Sequence, residues 1–212
     1  MATCAICGKR KAERFCSAKG EKICAQCCGT EREVSIDCPA NCQYLLAAHR
    51  YEAEHRRPIP ADTPFLEENL PRDLPHIHQQ LLAAIAFTIA KFCAAQPSAA
   101  DPDVLAALRT VAETYRTLIS GIYYEKPPDI PVQRELYAAV SGFLNDMKQK
   151  ASEAGSGGLK NPEIFDAAVF LFRMGLVRTN GRPRSRGFIE FLRAQFPKAE
   201  ELRRQESHII VP

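Results

Sequence analysis

Eight of the nine cysteines in this 212-residue chain lie within its first 42 residues. Clustered thiolates are ligands that favour zinc, and a C-x-x-C turn places two sulfur atoms on one ion. Two such turns supply one set of four: Cys4, Cys7, Cys24 and Cys27. The others form a second set: Cys16, Cys28, Cys38 and Cys42. The two sets interleave along the chain, and we expect two zinc ions (Zn²⁺).

Three alternatives stay open at this cluster. His49 competes with Cys28 or Cys42 as a ligand of the second set, and Asp37 is a weaker candidate. A catalytic zinc keeps one coordination position open, usually with three protein ligands. Eight thiols for two ions leave no coordination position vacant, so we expect a structural role for the metal. Redox use of the C-x-x-C pairs is the third alternative.

The cysteine-rich segment resembles the B-box zinc finger over residues 4–42. The resemblance is carried by the C-x-x-C pair at Cys4, the Phe15-Cys16 pair, and Ile23 before the C-x-x-C pair at Cys24. It implies a cross-brace with two interleaved zinc sites.

The segment also departs from the B-box pattern in two places. Lys19 stands where the family has a ligand, and Cys28 can substitute for it. Cys38 and Cys42 stand where the family has a histidine pair. A related cross-brace finger, MYND-like or HIT-like, is therefore an alternative.

Composition bears on the compartment and on the partner. The chain is 46% hydrophobic and 25% charged, without an apolar run of the roughly 20 residues that span a bilayer. The first residues lack the apolar core of a signal peptide. We therefore expect a cytoplasmic protein without a membrane partner. Eight thiolates and two zinc ions turn the formal charge of +3 into about −1, which disfavours nucleic acid.

Helical periodicity predicts the elements that follow the cysteines. We expect a mainly α protein, with a small N-terminal double-zinc finger followed by an antiparallel helical bundle. The predicted regions are a finger (1–42), a connecting helix (43–57), a proline-rich linker (58–75), a helical bundle (76–196) and a tail (197–212). The linker is either a domain boundary or a strap packed on the bundle. Within the bundle we expect helices at 76–95, 101–124, 131–151, from 161 to an end or a bend at Gly175, and 185–195, with Asp101 as an N-cap.

Basic residues form a second group of candidates. Arg178, Arg182, Arg184 and Arg186 surround the Asn180-Gly181 turn and are candidates to contact phosphate or an acidic partner. The alternative is a solvated loop that caps helix C-termini. The basic residues of the finger, among them Arg10, are better explained by neutralisation of zinc–thiolate centres. Cys93 lies in an apolar helix pattern and is expected to be an inert core residue.

Nucleotide-binding glycine loops and the common catalytic motifs are missing from the sequence. We therefore expect a non-enzymatic zinc-binding protein that binds a protein partner, as an adaptor. Nucleic-acid binding through the basic finger or the Arg178–Arg186 loop is the alternative. The sequence leaves the oligomeric state open.

Overall fold

The computed structural model describes residues 2–55, 58–153, 155 and 158–197. These residues form eight helices and one two-stranded sheet: β1 (Arg14–Cys16), β2 (Glu21–Ile23), α1 (Ala25–Glu31), α2 (Gln43–Glu54), α3 (Leu74–Ile77), α4 (Gln79–Ala95), α5 (Asp101–Ile119), α6 (Pro131–Glu153), α7 (Asn161–Arg178) and α8 (Gly187–Ala194). The expected mainly α fold, with a helical bundle after an N-terminal cysteine cluster, is confirmed. The end of the connecting helix (56–57) and all but the first residue of the tail lie outside the described residues.

The chain divides into two compact units. The first contains residues 1–58 together with 180–185, and the second contains residues 59–179 and 186–212. The loop between α7 and α8 therefore supplies six residues to the cysteine-containing unit. We refer to residues 180–185 as the distal loop.

The second unit is a helical bundle built around α5, which packs against α6, α7 and α8. Helix α4 packs against the same three helices. Their apolar faces meet in one core, as the sequence periodicity predicts. In the described part of the chain, no helix combines the length and apolar character needed to cross a membrane.

The proline-rich segment is a strap on the bundle. Phe65 is buried, and its ring meets the rings of Phe165 and Phe172 edge-on, with centroid distances of 6.0 and 6.1 Å. Arg173 donates hydrogen bonds to the carbonyl groups of Phe65 and Leu66. Of the two alternatives for the segment, the packed strap is the one observed.

Two helix ends differ from the prediction. The first bundle helix is interrupted at His78, which separates α3 from α4. Helix α5 ends at Ile119, not near residue 124. Gly121 follows with φ of 77°, a left-handed conformation typical of a helix end, and Ile122 is 61% exposed.

Two residues within the bundle also have different roles from those predicted. Gly175 does not end α7, which continues to Arg178. A Cβ atom at residue 175 would lie 2.7 Å from Leu105 Cδ2, so the missing side chain permits close packing. Asp101 is the first residue of α5, not its N-cap. Its buried carboxylate accepts hydrogen bonds from the backbone N–H groups of Phe188 and Ile189 and caps α8 instead.

Candidate metal centre

The first C-x-x-C pair lies in a tight turn at the start of the chain. The Gly8 N–H donates to the Cys4 carbonyl at 2.8 Å, and the Cys4 N–H donates to the Arg10 carbonyl at 2.8 Å. Gly8 has φ of 61°, a left-handed conformation that glycine adopts without steric cost. The turn therefore places the Cys4 and Cys7 side chains on the same side of the chain.

The second C-x-x-C pair is positioned by a hairpin. Strands β1 and β2 are antiparallel, with Arg14 opposite Ile23. The buried Ile23 side chain anchors the end of β2, and the next residue, Cys24, is the N-cap of α1. The Cys24 sulfur accepts a hydrogen bond from the Cys27 N–H at 3.4 Å, so the turn fixes both sulfur atoms.

These two turns bring the predicted first set together. The Sγ atoms of Cys4, Cys7, Cys24 and Cys27 all lie within 4.8 Å of one another. Zinc bonded to sulfur at about 2.3 Å in a tetrahedron spaces the sulfur atoms by about 3.8 Å. A shift of about 1 Å or less would close the set on one ion. The four cysteines can thus hold one metal ion, and three of them are buried.

The electrostatics of the cluster show why a cation fits it. Burial raises the pKa of Cys4, but hydrogen bonds from the backbone of Cys7, Cys24 and Ile6 outweigh it and lower the pKa to about 6. Burial, together with the neighbouring thiols, raises the pKa of Cys27 to about 12. Four sulfur atoms this close repel one another as thiolates, and a metal ion removes that repulsion.

Arg10 is the basic residue that contacts the cluster. Its Nη1 atom lies 3.7 Å from Cys7 Sγ and 4.0 Å from Cys24 Sγ. The hydrogen bond to Cys24 and the nearby thiols raise the pKa of Arg10. The expectation that basic residues of the finger neutralise thiolate charge applies to this guanidinium.

The second set of cysteines surrounds a small pocket. Cys16, Cys28, Cys38 and Cys42 all line one cavity of about 20 Å³, together with apolar side chains that include Ile23, Ile36 and Tyr44. Burial raises the pKa of Cys38, and Cys42 and Cys16 raise it further, against a hydrogen bond from the Glu33 backbone. Among the described residues only the first set meets the 4.8 Å spacing, so the second set is looser.

The alternative ligands of the second set lie elsewhere. His49 Nε2 lies 3.2 Å from both carboxylate oxygens of Glu33, and His49 does not line the pocket. Asp37 is exposed and does not line it either. Cys28 does line the pocket and is buried. The arrangement favours Cys28 over both alternatives.

The four candidate arginines separate into the two units. In the second unit, the Arg178 guanidinium stacks over the Phe191 ring at 3.6 Å, and Arg186 donates to the carbonyl groups of Pro97 and Ala99. In the first unit, Arg182 donates to backbone carbonyl groups, and the Arg184 side chain is exposed. Three guanidinium groups therefore make contacts inside their own unit, and phosphate contact stays a prediction.

Sequence reasoning missed a buried polar cluster beside the second set. Glu33 is 2% exposed, and its carboxylate accepts hydrogen bonds from Asn180 and faces His49. Burial raises its pKa, but these partners outweigh burial and leave the pKa below its usual value. No spacing or periodicity connects residue 33 with residue 180. The Asn180-Gly181 turn signal marks the loop but not its contact.

The fold and the site define a mainly helical protein with an N-terminal four-cysteine cluster able to hold a metal ion. No protein-family model, curated protein or solved structure matches this chain.

Proposed function

We propose that this protein is a zinc-binding, non-enzymatic protein that acts through protein–protein contacts, as an adaptor. The observation that carries the proposal is the grouping of the sulfur atoms of Cys4, Cys7, Cys24 and Cys27 within 4.8 Å of one another. Four cysteine sulfur atoms grouped this closely suit zinc better than the other common metals. Four protein ligands leave no position for a substrate, so the metal has a structural task.

The proposal includes a second zinc ion held by Cys16, Cys28, Cys38 and Cys42. Their common pocket supports it, because a cavity of about 20 Å³ is large enough for one small ion or water. The order of elements also supports a treble-clef-like or B-box-like finger: a C-x-x-C turn, a hairpin, and a helix that begins at the second C-x-x-C pair.

Exposed aromatic side chains support a protein partner. In the first unit Phe15 and Tyr51 are exposed, and in the second unit Tyr123 and Tyr124 are exposed, Tyr123 by 72%. Tyrosine and phenylalanine are enriched at protein interfaces relative to the rest of the surface. Nucleic-acid binding is the less supported alternative, since most of the candidate arginines contact their own unit.

Two measurements on the purified full chain test the proposal. Elemental analysis should find two zinc ions per chain, and fewer than one would contradict the metal assignment. Immobilised zinc-loaded protein should then retain a partner protein from nuclease-treated lysate. Cys24→Ser, which disrupts the first set, should retain less of that partner, because the finger is proposed to bind it. In a parallel lysate without nuclease, nucleic acid that is retained at about 0.15 M salt and lost at about 0.5 M would favour the alternative.

A further inference from the structure

The turn between Cys28 and Cys38 has a backbone conformation that side chains disfavour. Glu33 has φ of 54°, which crowds its Cβ against the backbone, so the surrounding contacts must hold it there. Its buried carboxylate also requires hydrogen-bond donors. The ligand-bearing segment therefore depends on contacts from outside its own sequence.

The distal loop supplies such contacts to Glu33. Asn180 Nδ2 donates to Glu33 Oε2 at 2.7 Å and to Glu52 Oε2 at 3.1 Å. The Arg184 backbone N–H donates to the Glu33 carbonyl at 2.9 Å. The loop thus binds both the side chain and the backbone of the strained residue.

Arg182 of the same loop binds the end of α1. Its Nη1 atom donates to the Gly29 carbonyl at 3.0 Å and to the Arg32 carbonyl. Helix α1 has no basic residue in its last turn, where cationic side chains commonly bind the unpaired carbonyl groups. Arg182 takes that place, and it binds the residue directly after Cys28.

The other end of the turn leads to Cys38. The Glu33 N–H donates to the Ile36 carbonyl at 3.2 Å. Ile36 is buried, lines the pocket of the second set, and stands two residues before Cys38. Contacts from the distal loop therefore reach the end of the segment next to Cys28 directly, and reach the end next to Cys38 through the hydrogen bond between Glu33 and Ile36.

We propose that Asn180 and Arg182 are positioning residues for the second cysteine set, and that they determine how tightly this set retains its metal ion. This inference rests on the proposed function, in which the second set holds zinc. Partners that orient metal ligands without touching the metal typically change metal affinity by about 10–100-fold.

The test is the release of zinc from the zinc-loaded full chain to an excess of a chromogenic chelator, 4-(2-pyridylazo)resorcinol. Wild-type protein should release two ions in two phases. Cys38→Ser should remove the phase that belongs to the second set. Arg182→Ala and Asn180→Ala should accelerate that same phase by about 10–100-fold, or lose that ion, and leave the other phase unchanged.

Arg184→Ala is the matched control, because it removes an exposed guanidinium and keeps the backbone N–H that binds Glu33. It should release both ions at wild-type rates. Thermal unfolding of the helical unit should be the same in all variants. If Arg182→Ala does not fold, Arg182→Lys takes its place. Lysine keeps the charge but not the geometry that binds two carbonyl groups, so this variant should also accelerate the release phase of the second set.

Three outcomes would overturn the inference. Wild-type rates in both the Arg182 and Asn180 variants, with two ions bound, would overturn it and leave the proposed function intact. Equal acceleration of both phases would indicate general loosening of the finger and would also overturn it alone. Fewer than two ions on wild-type protein would overturn the inference together with the two-zinc proposal.

Discussion

Cys24→Ser separates the role of zinc from the role of the helix cap. Cys24 is the N-cap of α1, and its sulfur accepts the Cys27 N–H. Serine is among the preferred N-cap residues, so the variant keeps a cap acceptor but loses a zinc-binding thiolate. Any loss of finger structure then reports on the metal, not on the helix end.

The size of the effect follows from the distribution of helices. The first unit contains the 7 residues of α1 and the 12 of α2. The second unit contains six helices of 4, 17, 19, 23, 18 and 8 residues. Complete unfolding of the finger would therefore remove at most about one-sixth of the described helical residues. Far-UV circular dichroism should fall by no more than that fraction, while zinc content falls from two ions to one or none.

Cys93→Ser is the matched control, since it makes the same chemical change in the bundle core. It should leave zinc content unchanged and lower the stability of the second unit by about 1–3 kcal/mol, because a buried hydroxyl replaces a thiol. Two zinc ions in Cys24→Ser would refute the ligand assignment. A loss of much more than one-sixth of the ellipticity would refute the expectation that the bundle folds without the finger.

Three further predictions concern protons and packing. Zinc binding at pH 7 should release fewer than one proton per cysteine of the first set. Cys4, with a pKa of about 6, is already largely a thiolate, whereas Cys27, with a pKa of about 12, must lose its proton. Acid should therefore weaken zinc binding, and calorimetry in buffers of different ionisation enthalpy measures the proton count. Gly175→Ala should destabilise the bundle by about 1–2 kcal/mol, because overpacking exceeds the gain in helix propensity. Gly142→Ala is the control, since there is open space at its Cβ position. It should stabilise the bundle by about 0.5–1 kcal/mol. Urea unfolding measures the change in the free energy of unfolding for both variants. A change of the same sign in the two variants would contradict the packing argument. Asp101→Ala should cost about 1–3 kcal/mol in the same assay because two buried N–H groups of α8 lose an acceptor, and wild-type stability would contradict that role.

Helix positions were predictable from periodicity, but helix ends and long-range partners were not. The apolar repeat continues through Ile122, so it gave no sign that α5 ends at Ile119. The conformation of Gly121 ends the helix, and many glycines inside helices have no such effect. Gly175 shows the reverse case, because its role comes from Leu105 in another helix. Asp101 was recognised as a capping residue, but the helix it caps begins 86 residues later at Gly187.

In the candidate metal centre, too, local groupings could be predicted from the sequence and long-range contacts could not. The sequence predicted the first set, Cys4, Cys7, Cys24 and Cys27. Each C-x-x-C turn is a local feature that holds two sulfur atoms together, and two such turns make one set of four. The membership of the second set was predicted by elimination among the remaining thiols; the structure places these four cysteines around one pocket, and their zinc binding stays a prediction. The support from Asn180 could not be predicted, because nothing in residues 29–36 reveals that Glu33 is buried or left-handed.

The energetics of the first unit explain why these supporting contacts matter. The buried aliphatic side chains in its core cluster are Ile23 and Ile36, each worth about 1.5–3 kcal/mol. A structural zinc site contributes about 10–16 kcal/mol in small peptides, so under the proposed function the metal dominates the folding of this unit. The unit then folds only as well as its ligand turns are held in place, and one of those turns is held by residues 180–185. A fragment that ends at residue 58 lacks that support, and we therefore expect the full chain to retain zinc better than the isolated finger.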